Sequence, residues 1–131
     1  MLLDSSAVLA TLDARDGNHA AALRTVAELG RLRCRLFQTT WLRAETHALL
    51  LSRIGAPAAR QWLAARALPT VPPERVDEVR GESIVLGYSD KNFSLCDAVS
   101  FAVMERLGAR LAFTLDRHFR QYGFQALPSP A

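Results

Sequence analysis

Two aspartates stand just past short apolar runs that read as β-strands. Asp4 follows Leu2 and Leu3, and Asp116 follows the apolar run 111–115. Each aspartate taken alone is explained at least as well by the start of a turn. In open α/β sheets, however, ligands bind at the carboxyl ends of the strands. Taken together, the two positions predict that both side chains lie at one edge of a sheet.

Two further carboxylates fall within predicted helices, on faces that are otherwise apolar. Glu45 comes four residues after Trp41, and Asp97 comes four residues before Phe101, which is the spacing of one helical face. Each has a simpler explanation. Glu45 can reach solvent along the edge of its face, and Ser94 with Asp97 has the spacing of a capping box. The four acids are therefore informative as a set.

The set as a whole predicts a site for a divalent cation. Four carboxylates that converge repel one another, and a cation offsets that repulsion. Oxygen ligands favour Mg²⁺ or Mn²⁺ over zinc. Such an ion lowers the pKa of a bound water molecule and neutralises charge on a phosphate, which is the chemistry of phosphodiester hydrolysis. Spacing along the chain does not by itself establish that the four acids converge.

The elements that would position these acids alternate between strand and helix. Predicted strands cover 1–4, 36–38, 68–71, 110–114 and 124–127, and predicted helices cover 5–13, 19–29, 40–54, 57–67, 74–88 and 94–107, with a short helix or turn after residue 116. This alternation predicts a three-layer α/β/α fold with a mainly parallel central sheet. We expect one domain over residues 1–131, with 128–131 as a flexible tail.

Residues at the expected helix ends support these boundaries. Ser5 or Ser6 is expected to cap the first helix. Gly30 is expected to end the second, and Thr39 or Thr40 to cap the third.

The composition is that of a globular protein with a basic bias. Half of the residues are hydrophobic, 22% are charged, and the net charge is +3. All basic residues but Lys91 are arginines. Arginine suits phosphate because its planar fork donates two hydrogen bonds, although codon bias explains the excess equally well. Arg117 and Arg120 flank Asp116 and are candidates for contact with RNA phosphates, whereas the basic stretch 24–35 reads as a solvated face.

The remaining sequence signals indicate a reduced, cytoplasmic protein. Cys34 and Cys96 form no C-x-x-C pair, so a disulfide framework is not expected. The first residues lack the pattern of a signal peptide, and no apolar run has membrane-spanning length. We therefore expect a cytoplasmic location and no membrane partner.

Other catalytic motifs are missing from the sequence. It contains no P-loop, no nucleophile elbow, no H-E-x-x-H and no dinucleotide-binding fingerprint. A Mg²⁺-dependent phosphoryl-transfer domain with an aspartate nucleophile is an alternative, but the expected second aspartate after Asp4 is replaced by Ser6. His118 lies close to Asp116, and we interpret it as a packing or surface residue.

Several blocks of the sequence resemble a known family. LLDSS at 2–6 resembles the opening strand and first acid of PIN domains, and DGNH at 16–19 resembles the start of their second helix. SLCDAVSFAVM at 94–104 resembles the helix that carries the third acid in VapC-like toxins. TLDRHF at 114–119, followed by Gly123-Phe124, resembles the closing block of the family.

The resemblance implies a PIN fold and a metal-dependent endoribonuclease, with Mg²⁺ or Mn²⁺ as cofactor and RNA as substrate. It implies four site acids, Asp4, Glu45, Asp97 and Asp116, with hydroxyls of Ser5, Ser6 and Thr114 near the metal or its water. We expect Asp4, Asp97 and Asp116 to hold the metal, and Glu45 to bind a second metal or its water shell. Proteins of this kind are the toxins of toxin–antitoxin pairs, so a cognate antitoxin and a homodimer are the implied partners. The alternative within the family is a PIN-like module that binds RNA or protein without cutting.

Overall fold

Short strands and helices alternate along residues 1–130, the part of the chain that the computed structural model describes. In chain order they are β1 (Leu2–Leu3), α1 (Ser5–Leu12), α2 (His19–Arg31), β2 (Gln38–Thr39), α3 (Thr40–Arg53), α4 (Ala56–Ala65), β3 (Thr70–Val71), α5 (Arg75–Gly87), α6 (Leu95–Leu107), β4 (Leu111–Phe113), α7 (His118–Tyr122) and β5 (Gln125–Leu127). Each expected strand and helix is present, with ends that differ from the expected ones by a few residues.

All strand pairings are parallel. β1, β4 and β5 form one sheet in the order β1-β4-β5, and β2 pairs with β3. A single parallel bridge between Leu2 and Phe37 joins the two groups, so the strands follow the order β3-β2-β1-β4-β5. β2 and β3 therefore lie on one side of β1, and β4 and β5 lie on the other side. Such a reversal of strand order opens a crevice at the carboxyl ends of the two central strands, here β1 and β4.

Helices cover both faces of the sheet because side chains along each strand alternate between the faces. Leu2 and Ala112 point into a cluster formed with α5, α6 and α7, whereas Phe113 points into a cluster formed with α1 and α2. α3 contacts both sides, since Leu42 joins the first cluster and Leu50 packs on α1 and α4. The predicted three-layer fold is confirmed.

Two of the expected helix ends are wrong. Neither serine caps α1, because Asp4 occupies the N-cap position and its side chain makes no capping hydrogen bond. Gly30 does not end α2, which continues to Arg31 before the chain turns through Arg33 at a φ of +53°. A glycine with no positive φ carries no stop signal of its own.

The predicted cap of α3 is confirmed at Thr39. The Thr39 Oγ1 accepts a hydrogen bond of 3.0 Å from the backbone N–H of Leu42. α3 therefore starts directly at the carboxyl end of β2.

α5 and α6 approach each other closely and are tied by an ion pair. A Cβ on Gly81 would lie 2.6 Å from Cγ2 of Val99 and 3.0 Å from its backbone nitrogen, so no larger residue fits there without movement. Arg106 donates from Nε and Nη2 to the Asp77 carboxylate at 2.9–3.1 Å. The Arg106 guanidinium holds the pKa of Asp77 below its usual range. The close approach and the ion pair hold α6 against α5.

The carboxyl-terminal strand is held by Arg120. Its Nη2 donates to the carbonyl oxygens of Ala126 at 2.8 Å and Pro128 at 2.6 Å. Pro128, the first residue of the predicted tail, is thus bound to the fold, while Ala131 lies outside the described residues. Within residues 1–130 the helices are too short or too polar to cross a membrane.

Candidate active site

The four acids come from four different elements. Asp4 follows β1, Asp97 stands in the first turn of α6, Asp116 follows β4, and Glu45 lies in the second turn of α3. The carboxyl ends of β1 and β4 are neighbours, because Leu3 pairs with Phe113. The structure therefore brings these acids to the crevice that the strand order creates.

Asp4 is buried, and its carboxylate is held by two hydroxyls. Ser6 Oγ donates to Asp4 Oδ2 at 2.6 Å, and Thr114 Oγ1 donates to the same oxygen at 2.7 Å. Burial raises the pKa of Asp4 to about 6, the two hydroxyls oppose that rise, and the nearby carboxylates of Asp97 and Glu45 add to it. Burial accounts for the largest part of this rise, and the charges of Asp97 and Glu45 for the smallest part.

Backbone groups set the direction of these hydroxyl protons. Ser6 Oγ accepts from the backbone N–H of Leu115 at 2.9 Å, and Thr114 Oγ1 accepts from that of Asp116 at 2.9 Å. Because each oxygen already accepts a proton, its own O–H is free to point at Asp4. Within residues 1–130, Ser5 makes no such contact with the acids, although it is buried.

His118 joins two of the acids. Its Nδ1 lies 2.9 Å from Asp97 Oδ2 and 3.2 Å from Asp116 Oδ1, and its backbone N–H donates to Asp116 Oδ1 at 2.8 Å. Ligand atoms of these three residues all lie within 4.8 Å of one another. The interpretation of His118 as a packing or surface residue is wrong in this respect. Its place two residues after Asp116, beyond a strand end, was the available signal.

Asp97 serves the helix and the site at once. Its Oδ2 accepts from the backbone N–H of Ser94 at 3.4 Å, and its own N–H donates to Ser94 Oγ at 3.0 Å. The capping box that the spacing allows is therefore present. Because the same carboxylate also contacts His118, the cap fixes its orientation toward the crevice.

Glu45 closes the open side of the cluster. The residue is exposed as a whole, but its carboxylate is partly enclosed, and the thiol of Cys96 donates to Oε2 with an S···O distance of 3.1 Å. Burial raises the pKa of Glu45, and the charges of Asp97 and Asp116 raise it further. Burial, followed by the charges of Glu45, Asp97 and Asp4, holds the pKa of Cys96 far above its usual range, so Cys96 acts as a neutral donor to Glu45. No spacing pattern in the sequence predicts this contact, because Cys96 and Glu45 are 51 positions apart.

The donor set suits a hard divalent cation. Within residues 1–130 no arginine or lysine forms an ion pair with Asp4, Glu45, Asp97 or Asp116. Carboxylate oxygens match Mg²⁺ or Mn²⁺, and a cation would relieve the repulsion that Asp97 and Glu45 exert on Asp4. Asp97 and Asp116 are placed to hold it, with Asp4 beside them and His118 Nδ1 in contact with both carboxylates.

The two arginines proposed for RNA differ in their surroundings. Arg117 is exposed next to Asp116. Arg120 uses Nη2 to hold the backbone of the carboxyl-terminal segment, as described above. Contact of either residue with RNA stays a prediction, with more support for Arg117.

A known protein family matches the chain in sequence, and solved structures match it in fold. Residues 1–125 match the family model described as PIN domain. No curated protein sequence gives a match. Among solved structures, the chain is similar to VapC20 of Mycobacterium tuberculosis, described as a sarcin–ricin loop cleaving toxin, with 26% identity, a TM-score of 0.85, and coverage of 94% of this chain and 95% of that one. It is similar in fold to FitAcB from Neisseria gonorrhoeae, with 13% identity, a TM-score of 0.69, and coverage of 95% and 94%.

Proposed function

The chain belongs to the PIN domain family, and on that premise we propose that it is a Mg²⁺- or Mn²⁺-dependent endoribonuclease and the toxin of a toxin–antitoxin pair. The observation that carries the proposal is the gathering of Asp4, Glu45, Asp97 and Asp116 at one crevice without a paired arginine or lysine. The similarity to a toxin that cleaves the sarcin–ricin loop supports RNA as the substrate.

A divalent cation held by Asp97 and Asp116, with Asp4 beside them and His118 orienting both carboxylates, would supply positive charge that favours deprotonation of water and neutralises the phosphate. Ser6 and Thr114 fix the Asp4 carboxylate so that it faces the crevice. Preorganised charges of this kind cost no rearrangement during the reaction.

The remaining residues set the open side of the crevice. The Cys96 thiol holds one oxygen of Glu45, which leaves the other oxygen available to orient water or substrate. The exposed Arg117 is placed to hold the RNA backbone beside Asp116.

We propose RNA, a cognate antitoxin and a second copy of the chain as partners, in the cytoplasm. The similarity to a toxin supports the antitoxin. The homodimer and the location rest on the resemblance and on the sequence signals described above.

Cleavage of a mixed pool of structured RNA by purified, partner-free protein tests the proposal. Mg²⁺, Mn²⁺ and EDTA are compared, and the Asp97→Asn variant is run beside the wild type. We expect discrete products that vanish with EDTA and in the variant. Equal cleavage by wild type and variant would contradict the assignment, and tight RNA binding without cleavage would favour a binding module.

Metal binding has a second readout that does not depend on activity. A ligand that binds the folded state raises its stability by RT ln(1 + [L]/Kd). Mg²⁺ or Mn²⁺ is therefore expected to raise the unfolding temperature of the wild type and to have a much smaller effect on Asp97→Asn. An equal shift in both proteins would place the ion elsewhere.

A further inference from the structure

A pocket of about 430 Å³ opens between the first turns of α3, the end of α4 and β3. No carboxylate lines it. Its polar lining consists of Thr40, Arg43, His47, Arg66 and Thr70. The volume is within the range of small-ligand sites, and the lining is suited to an anion. We refer to these residues as the α3–α4 basic pocket.

The two arginines of the α3–α4 basic pocket keep their positive charge unneutralised. Arg43 Nη2 donates to the backbone carbonyl of Leu63 at 3.2 Å, which orients the side chain along α4. Within residues 1–130 neither Arg43 nor Arg66 has a carboxylate at ion-pair distance. A guanidinium fixed by a carbonyl retains N–H groups for a bidentate contact with phosphate.

Arg66 occupies a backbone conformation that favours glycine. It ends α4 at φ 45° and ψ 43°, in the left-handed region. Glycine or asparagine is the usual residue at this position of a helix end, and an arginine there carries conformational strain. A strained residue that lines a pocket points to a use for its side chain.

The α3–α4 basic pocket lies at the same edge of the sheet as the acids. Thr40 begins α3 directly after β2, and the bridge at Phe37 places that segment beside β1, which leads to Asp4. Adjacent strands lie about 4.8 Å apart, so the pocket begins roughly one strand spacing from β1. Arg43 and Glu45 are two residues apart on α3, which turns their side chains to different sides of the helix. A chain with repeated negative charges would have to pass over the start of α3 to reach both.

We propose that the α3–α4 basic pocket binds a backbone phosphate of the RNA, a few nucleotides from the phosphate at the acidic crevice. The inference rests on the proposed ribonuclease function and adds a second anchoring point to it. A cation in the crevice would neutralise the phosphate that reacts, so binding of the neighbouring phosphates draws on positive charge outside the crevice. Arg43 and Arg66 supply that charge on one side, and Arg117 lies next to Asp116 on the other.

Equilibrium RNA binding tests the pocket without cleavage. The full chain carries Asp97→Asn in every sample, and anisotropy of a short fluorescein-labelled single-stranded RNA is measured in Mg²⁺ at several KCl concentrations. Arg43→Gln and Arg66→Gly are each expected to raise Kd about threefold to tenfold, and to lower the slope of log Kd against log[KCl] by about one. Arg66→Gly should keep or raise the unfolding temperature, because glycine relieves the backbone strain.

A charge-matched control separates the pocket from the net charge. Arg24→Gln with Arg75→Gln removes two exposed arginines elsewhere on the surface, and should change Kd less than twofold. The proposal is overturned if this control weakens binding as much as Arg43→Gln with Arg66→Gly. Arg43→Lys, which keeps the charge and loses the planar fork, guards against a folding defect and should bind between wild type and Arg43→Gln.

The RNA-pool assay distinguishes failure of the pocket from failure of the proposed function. Cleavage by the wild type together with unchanged Kd in the pocket variants would contradict the proposed role of the pocket and leave the ribonuclease function supported. No cleavage by the wild type, with weaker RNA binding in the pocket variants, would contradict the ribonuclease function and support the pocket as an RNA-binding site.

Discussion

Two buried aspartates occupy the same local position in two neighbouring helices and do different things. Asp77 stands in the first turn of α5 and accepts from the backbone N–H of Glu74 at 2.8 Å. Asp97 stands in the first turn of α6 and accepts from that of Ser94. Both are almost fully buried, at 2% and 6% exposure. Their helix-capping roles are therefore equivalent.

The partners of the two carboxylates differ. Arg106 neutralises Asp77 through hydrogen bonds from two of its nitrogens. The negative charge of Asp77 therefore serves to link α5 to α6. Asp97 faces His118 and three other acids. A buried carboxylate paired with arginine indicates structure, whereas one surrounded by further carboxylates indicates a cation site.

Removing the charge of Asp97 should give the largest effect on activity. Asparagine keeps an oxygen for the cap and loses the negative charge, so we expect Asp97→Asn to lower the rate of RNA cleavage by at least about 100-fold. The unfolding temperature in EDTA should be unchanged or higher, because repulsion among the acids falls. Single-turnover cleavage and thermal unfolding measure the two effects. A large loss of stability would indicate that Asp97, like Asp77, has a mainly structural role.

Removing His118 should have the next largest effect. It orients Asp97 and Asp116, and loss of a group that orients metal ligands costs about 10- to 100-fold in metal affinity or activity. We therefore expect His118→Ala to weaken Mn²⁺ binding, measured by calorimetry, by that factor.

The conservative variant tests the positioning role of His118. The amide nitrogen of asparagine can take the place of Nδ1, so His118→Asn should recover most of the Mn²⁺ affinity. His118→Gln, which extends to the position of Nε2, is the matched control and should recover less. Equal losses in the asparagine and alanine variants would contradict the role of Nδ1.

Asp77→Asn should destabilise the protein and leave the chemistry intact. The carboxylate loses charge-assisted hydrogen bonds, but the Arg106 side is partly exposed, so we expect about 1–2 kcal/mol of unfolding free energy. Urea unfolding and cleavage by the folded variant measure both properties. Arg31→Gln, which breaks an exposed pair with Glu28, should give no measurable change.

Substitution of Gly81 tests how closely α5 packs against α6, the helix that carries Asp97. A methyl group there meets Val99, so Gly81→Ala is expected to destabilise the fold by about 1 kcal/mol or more. Gly30→Ala is the control, since a Cβ there meets nothing within 4 Å, and it should stabilise by up to about 1 kcal/mol. The same sign in both variants would contradict the close approach of α5 and α6.

Low pH should reduce the contribution of Asp77 to the free energy of unfolding. Its pKa is lowered in the folded state by Arg106, so the stabilisation is present above the unfolded pKa and is lost as pH falls through the folded one. The stability difference between wild type and Asp77→Asn should therefore be constant near neutrality and shrink below about pH 4. A difference that grows in acid would contradict the pairing.

Local sequence signals predicted the order of elements well, because each depends on neighbours along the chain. Thr39 and the turn before α6 mark helix starts through their own hydrogen bonds. The same logic failed at Ser6. Asp4 is the N-cap of α1, and the Ser6 hydroxyl donates to Asp4 and accepts from the backbone N–H of Leu115, which follows β4.

Contacts between distant segments account for what the sequence did not predict. The hydrogen bond from Cys96 to Glu45 spans 51 positions, and that from His118 to Asp97 spans 21. Neither residue belongs to a spaced motif with its partner. The four acids could be identified from the sequence because burying a carboxylate within an apolar pattern costs free energy. Their contacts with Cys96 and His118 depend on the fold and could not be.

The pairing of β1 with β4 has a consequence for biosynthesis. The hydrogen bond from Thr114 to Asp4 joins residues 110 positions apart, so the loop between them must close before the crevice exists. A nascent chain that has not yet released β4 from the ribosome lacks Asp116 and the strand that places Asp4. The acidic crevice is therefore completed only after the chain has been synthesised through Asp116 and β4 has paired with β1.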